Sequence, residues 1–250
     1  MLEKLEGVVI RTRDYGESHK VVILFTKAHG KYAVMARGAK KPKSRLAAVT
    51  QPFTSGEYLC FTGSGMATLS QGDILESRHL LRSDLVRASY AAYWTEFLDK
   101  LKEEKEPDLP VYVWLETVLN LLEEGVDPEI LSRIFELKVL ESAGYRPRLQ
   151  GCVQCGGADT PVKFSIRQGG FLCSGCSHRD PEALFLSPAA ARILGILAGI
   201  SPQRLGQIRV KEETRRQLER ILRSFIDEYI DLPLRSRDFL DRMKKDWRNG

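Results

Sequence analysis

No stretch of this 250-residue sequence stays apolar for the roughly 18 residues that a membrane-crossing helix needs. The opening segment MLEKLEGVVIRTRDYG lacks a basic start, a long apolar centre and a small-residue cleavage site. A secretory leader is therefore not expected, and the chain reads as cytoplasmic. Histidine is scarce. None of the four is followed two positions on by glutamate, and the residues before Cys152 and Cys173 are Gly151 and Leu172 rather than proline. The H-x-E and P-C-x-x-C pattern of zinc deaminases is thus missing. So are the G-x-x-x-x-G-K-[ST] phosphate loop, the G-x-S-x-G nucleophile elbow and the H-E-x-x-H zinc helix. The many acids mostly alternate with Lys and Arg on expected helix faces, as on a solvated surface. Repeats and low-complexity segments are absent, and nothing visible carries catalysis.

Acid is also missing locally. ARGAKKPKSRLAAVTQ, from Ala36 to Gln51, holds Arg37, Lys40, Lys41, Lys43 and Arg45 and not one Asp or Glu. Gly38 and Pro42 keep it from forming one regular element. Residues 1–80 contain twelve Lys and Arg against seven Asp and Glu, whereas the remainder balances. The whole net charge of +5 therefore sits in the first third, where a polyanion is the natural partner.

Those first 80 residues are rich in strand signals. EGVVIRT, HKVVILFT, KYAVMARG, FTSGEYLCFTG and MATLSQGDIL are short and β-rich, separated by Tyr15–Ser18, His29-Gly30, the basic segment and Gly63-Ser64-Gly65. Five such strands fit a small barrel of the OB type. An SH3-like barrel would leave a similar pattern. In an OB barrel, a cationic loop is placed to follow a phosphate backbone. Lys31 and Arg37 extend its charge onto the preceding strand, and Arg11, Arg13 and Lys20 do so if their strands are neighbours. Tyr15, Phe53 and Tyr58 are candidates to stack on bases, although packing explains each of them more simply.

After Leu80 the apolar spacing becomes helical. One helix is expected from Leu80 to about Glu106, a second over VYVWLETVLNLLEEG, and a third opening at Asp127-Pro128 and closing near Gly144. Further helices start at Ser187-Pro188, cover VKEETRRQLERILRSFIDEYI, and begin near Ser236. The fold class is α+β. Residues 1–80 read as a basic OB-fold domain. Residues 81–250 read as a mainly helical domain, interrupted at 147–182 by a cysteine module.

Cys152-Val-Gln-Cys155 and Cys173-Ser-Gly-Cys176 form two C-x2-C pairs separated by 17 residues. Each pair offers two thiolates from one turn, and a hairpin over VKFSIRQGGFLC would bring the pairs together around a tetrahedral ion. Four thiolates leave no open position, so a zinc ion held this way is structural. His178 reads as a surface residue. Cys60 reads as a small buried hydrophobe on a strand.

GVVIRTRDYGESHKVVILFTKAHGK followed by ARGAKKPKSRL strongly resembles the N-terminal domain of the bacterial recombination mediator family RecO. The resemblance continues through LESAGYRPRLQGCVQCG to the LSPAAARIL helix, and so covers most of the chain. It implies an OB-fold, a helical domain and a zinc module with Cys152, Cys155, Cys173 and Cys176 as ligands. It also implies binding of single- and double-stranded DNA, annealing of complementary strands, and help in loading RecA onto strands coated by SSB. RecR and the acidic, apolar C-terminal tail of SSB are the implied partners, and the nucleoid the implied location. Lys31, Arg37, Lys40, Lys41, Lys43 and Arg45 are the expected DNA contacts. No motif marks the SSB-tail pocket, for which Arg82 and Arg133 are guesses. Two other readings are an RNA-binding zinc-ribbon protein and a scaffold whose basic loop docks an acidic partner.

Overall fold

The computed structural model describes residues 1–202, 210–230 and 233–249, with the backbone alone for 246–249. Strand β1 (Leu2–Tyr15) is long enough to serve two neighbours. Residues Leu2–Val8 pair antiparallel with β4 (Ser55–Phe61), and Gly7–Tyr15 pair with β2 (His19–Thr26), with a bulge in the second pairing between Val9 and Arg11. The bulge bends the strand around the core. β2 pairs with β3 (Gly30–Ala36), β4 with β5 (Ala67–Glu76), and a short parallel contact between β3 and β5 closes the barrel. The order β1-β2-β3-β5-β4 gives the five-stranded OB-type barrel expected from the sequence.

Alternate residues of these strands, among them Leu5, Val9, Val22, Leu24, Val34 and Leu69, fill the interior. Burying each such side chain stabilises the barrel by about 1.5–3 kcal/mol. A single-turn helix, α1 (Leu46–Val49), helps to cover the barrel interior. Its Val49 sits so close to Gly72 that a Cβ there would lie 2.8 Å from Val49 Cγ2. The buried Tyr58 hydroxyl lies 3.2 Å from the Val49 carbonyl oxygen and 3.1 Å from that of Thr54, fixing both ends of the turn.

The first expected helix is two. α2 (His79–Ser83) ends before Asp84, whose carboxylate accepts the amide N–H groups of Val86 and Arg87 and starts α3 (Leu85–Leu101). A Ser-Asp pair competes well for capping geometry, and here it wins over apolar spacing. The buried Lys102–Asp108 pair, at 2.7 Å, leads into α4 (Leu109–Glu123). α5 (Pro128–Ser142) opens on the Asp127 cap and the following proline, as expected. Then come β6 (Pro161–Ser165), β7 (Gly170–Cys173), a 3-10 turn over Ser174–Arg179 and β8 (Leu184–Phe185), in the order β7-β6-β8. α6 (Pro188–Gly199), α7 (Glu212–Tyr229) and α8 (Arg235–Asn249) complete the chain.

Secondary structure changes at residue 80, but compactness divides the chain elsewhere. One unit holds Met1–Gly125 together with the chain from Leu234 onward, and the other holds Val126–Pro233. The first unit is joined by Arg78, fully buried in a left-handed conformation with φ +47°. Its guanidinium donates to the Phe53 carbonyl at 2.9 Å, to Ser55 Oγ, to Asn120 Oδ1 and to the Glu116 carboxylate. Barrel, α2 and α4 thus meet at one cation. In the same unit α8 packs on α3, burying Leu240 and Met243. Ser236, expected near the start of this helix, donates its hydroxyl to Glu96 of α3.

Candidate nucleic-acid interface and metal centre

The basic loop leaves β3 at Ala36 and is tied down at several points. The Gly38 amide N–H donates to His19 Nδ1 at 2.9 Å, and the Lys40 amide N–H donates to the Ser18 carbonyl at 3.0 Å. The Lys40 ammonium binds Asp14. Gly38 and Lys43 both adopt positive φ, at +72° and +63°, which turns the loop tightly between these anchors. The β1–β2 turn therefore acts as a clamp on the cationic segment. Arg37, Lys41, Lys43 and Arg45 are exposed and make no ion pair among the described residues. Four free cations with no acid between them repel one another, and a polyanion relieves that repulsion.

Lys31 lies elsewhere. Only 14% of its side chain is exposed, and its ammonium is held by Asp99 of α3, at 3.3 Å from Oδ1 and 2.7 Å from the carbonyl oxygen. It braces β3 against α3 rather than extending the patch, because its strand position faces the helix. Arg13 and Lys20 do sit on paired strands, with Asp14 opposite Lys20. Of the three candidate stacking aromatics, Phe53 and Tyr58 are buried in packing and Tyr15 alone is exposed. Phe61, at the end of β4, is a second exposed ring that apolar spacing did not single out. Arg82 donates to the carbonyls of Pro52 and Ser77, at 2.9 and 2.6 Å, and burial holds its pKa below the usual guanidinium value. Arg133 is buried against Glu136 at 2.7 Å. Both guanidinium groups are committed to the chain itself. Asp99 and Glu136, which spacing grouped with solvated helix acids, are buried partners of cations.

In the second unit, the thiol sulfurs of Cys152, Cys155, Cys173 and Cys176 all lie within 4.8 Å of one another, and those of Cys155 and Cys173 are 3.9 Å apart. Four sulfurs at about 2.3 Å from one tetrahedral ion would stand about 3.8 Å apart. The donor set therefore fits a metal ion. Gly151 and Gly156, at φ +70° and +72°, turn the backbone on either side of the first knuckle, and the 3-10 turn Ser174–Arg179 forms the second. At Gly170 a Cβ would lie 2.5 Å from the Arg148 carbonyl oxygen, so only glycine lets the hairpin close over the first knuckle. Burial opposes ionisation of Cys152, but amide N–H groups of Cys173, Cys155 and Gln154 outweigh it and pull the thiol down to about 6. Its hydrogen bond with Cys173, then burial, pushes Cys176 up to about 12. A thiol pulled down at Cys152 and one pushed up at Cys176 cannot both ionise easily, a conflict that a divalent cation removes. His178 is exposed and outside the cluster, and Cys60 is buried in the barrel core. Behind the site, Phe164 packs edge-on to Phe171 and Phe225, and the Tyr229 hydroxyl donates to the hairpin carbonyls of Ile166 and Arg167 at 3.0 and 3.1 Å. The hairpin is thereby fastened to α7.

No helix among the described residues is long and apolar enough to cross a membrane. Two family models match the chain: Recombination protein O N terminal over residues 1–78 and Recombination protein O C terminal over residues 82–238. DNA repair protein RecO of Halalkalibacterium halodurans is 46% identical over 244 residues, covering 98% of this chain and 96% of that protein. Its namesake from Bacillus pumilus is also 46% identical, over 98% of this chain and 95% of the relative. That of Bacillus subtilis is 43% identical, over 98% and 96%. With both family models matched and this identity along nearly the full length, the chain belongs to the RecO family of DNA repair proteins.

Proposed function

We propose that the chain is a recombination mediator that binds single- and double-stranded DNA through the clamped basic loop. It anneals complementary strands and assists RecA loading onto SSB-coated single strands. The observation that carries this reading is the exposed, acid-free cluster Arg37, Lys41, Lys43 and Arg45 on an OB-type barrel, with Lys40 anchoring it to Asp14. Such cations displace condensed counterions from phosphates, which favours binding without sequence preference. Two strands neutralised on one protein repel each other less and meet at higher local concentration. Base pairing then supplies the selectivity, and no nucleotide hydrolysis is required. RecR and the SSB tail are the partners that membership of the family supports, in the cytoplasm at the nucleoid.

The ion in the cysteine site is zinc in this reading, since four thiolates in a tetrahedron suit it better than a hard cation. Its role is to hold the module's fold. With the ligands all supplied by the chain, Cys152, Cys155, Cys173 and Cys176 fix the hairpin and leave no position for a substrate.

The test is pairing of complementary strands coated with the matching SSB, without ATP. The protein should accelerate pairing over coated strands alone. A variant with Arg37, Lys40, Lys41, Lys43 and Arg45 changed to Glu should lose this and its DNA affinity while keeping its metal. Unchanged affinity in that variant would remove the loop from the interface.

A further inference from the structure

A groove in the first compact unit has no part in the reading above. It lies between β1, the Pro52-Phe53 turn and α3, and holds about 370 Å³. Small-molecule sites typically hold roughly 300–1,000 Å³, with apolar walls and a few polar groups at the edges. Here Ile10, Phe53, Ala92 and Thr95 form a largely apolar floor, and the exposed Arg11 and Lys100 line the mouth.

The two acids that border the groove are already occupied. Asp99 holds Arg11 at 3.0 Å and Lys31 at 3.3 Å. Glu96 accepts the amide N–H groups of Arg235 and Ser236, at 3.3 and 2.8 Å, together with the Ser236 hydroxyl. Arg11 and Lys100 match these two carboxylates in number along the groove, Lys31 on the other oxygen of Asp99 makes the local balance positive, and the positive end of α8 adds to it. An apolar floor under a cationic mouth suits a ligand with a flat apolar face and an anionic edge. A nucleotide has both.

The groove also continues a cationic track. Arg11 and Arg13 are alternate, exposed residues of β1, about 7 Å apart along the strand. Two residues further on the same face, Tyr15 lies opposite His19, whose Nδ1 accepts the Gly38 amide N–H of the basic loop. The step from Tyr15 to Arg11 at the groove is four residues of strand, or about 13 Å. A polymer that follows the loop by its phosphates thus reaches the groove without leaving β1. An acidic peptide with an apolar end would match the groove but leave the track unused.

We propose that this groove takes an unstacked base of a single DNA strand whose phosphates run along Arg11, Arg13 and the loop. The assignment rests on the DNA-binding reading and adds to it a site for bases. Bases of a duplex are stacked and paired and cannot enter, so the groove favours single strands over duplex.

The experiment compares an oligo-dT with an abasic strand of equal length on the intact, metal-loaded protein. Stacking of one base on a protein floor is enough for about a tenfold preference for oligo-dT. Filling the groove without changing charge, by Ala92→Trp, should reduce that preference to about twofold or less while abasic binding stays unchanged. A strand carrying iodouracil should cross-link to peptides holding Phe53 or α3 in the wild-type protein, which covers the case of a misfolded variant. Equal affinity for the two strands in the wild-type protein would overturn the groove and leave the loop standing. A preference that survives Ala92→Trp in folded protein, with cross-links elsewhere, would overturn it too. Loss of the preference on adding an acidic, apolar-ended peptide, with cross-links at Phe53 and α3 absent throughout, would give the groove to that peptide instead. Failure of both strands to bind would bring down the groove and the DNA-binding reading together.

Discussion

The barrel and the cysteine module are both small β-structures, and they are held together by different means. Twelve buried residues fill the barrel, from Leu5 to Leu69, and a buried guanidinium ties it to its helices. Among the described residues, the cluster around the module's cysteines holds Cys152, Leu172, Cys173 and Ala183, two of them candidate ligands, and the module's buried Phe164 packs on Phe171 and on Phe225 of α7. Burial alone does not offset the chain entropy of ordering such a segment. Where few apolar side chains surround the cysteines, metal coordination is the expected source of order. The difference also separates residues: the exposed cations of the basic loop belong to the barrel, and the four-cysteine cluster belongs to the module.

The strongest way to break this comparison is to remove the metal. Structural zinc sites contribute about 10–16 kcal/mol of binding free energy. Chelation should therefore expose the amides of β6 and β7 to hydrogen exchange while β1, β2 and β3 keep their protection. Equal loss in both regions would mean that the barrel depends on the ion as well.

The next largest effect should come from Arg78→Met. Truncating a buried cation that faces a carboxylate typically costs about 3–5 kcal/mol, because the partner is left unpaired. A urea titration should show the midpoint of the barrel unit falling, with metal content unchanged. Loss of bound metal in this variant would contradict the separation.

Smaller still is Tyr58→Phe, expected to cost about 1 kcal/mol, since one buried hydroxyl with two carbonyl acceptors is lost. Burial first, and then Glu116, raise the pKa of Tyr58 and of Tyr112 well above the ordinary value of 10.0. A phenol neutral in the fold and ionised when unfolded contributes stability that is full below about pH 10 and lost as pH rises toward the raised value. Ultraviolet titration should find these two rings ionising only as the barrel opens. Ionisation of both near pH 10 in folded protein would show the packing around them to be looser than described.

Much of this was legible in the sequence, because it rests on local rules. The five strands followed from β-rich runs between turn residues, and the Asp127-Pro128 and Ser187-Pro188 helix starts followed from capping chemistry. The cysteine cluster followed from C-x2-C spacing, since a hairpin has few ways to arrange four nearby thiols. What depended on distant partners was not visible. Lys31 counts as one more cation until Asp99, 68 residues away, is placed beside it. Arg78 looks like a linker residue until Glu116 and Asn120 surround it. The return of α8 to α3 has no signature in its own amphipathic pattern, which fixes which face is buried but not against what. Asp84 is the exception, a local capping signal overlooked because the apolar spacing ran straight through it.

The most direct test of the account is the affinity of the protein for single-stranded DNA, measured from about 50 to 200 mM salt with the metal bound and after chelation. About six phosphate contacts predict a slope near −4 and a loss of about 300-fold across that range. The same slope and affinities within about threefold are expected for both forms, because the cations sit on the barrel rather than in the cysteine module. A shallow slope, or a loss of binding on chelation with the barrel still folded, would contradict it and move the interface to the cysteine module.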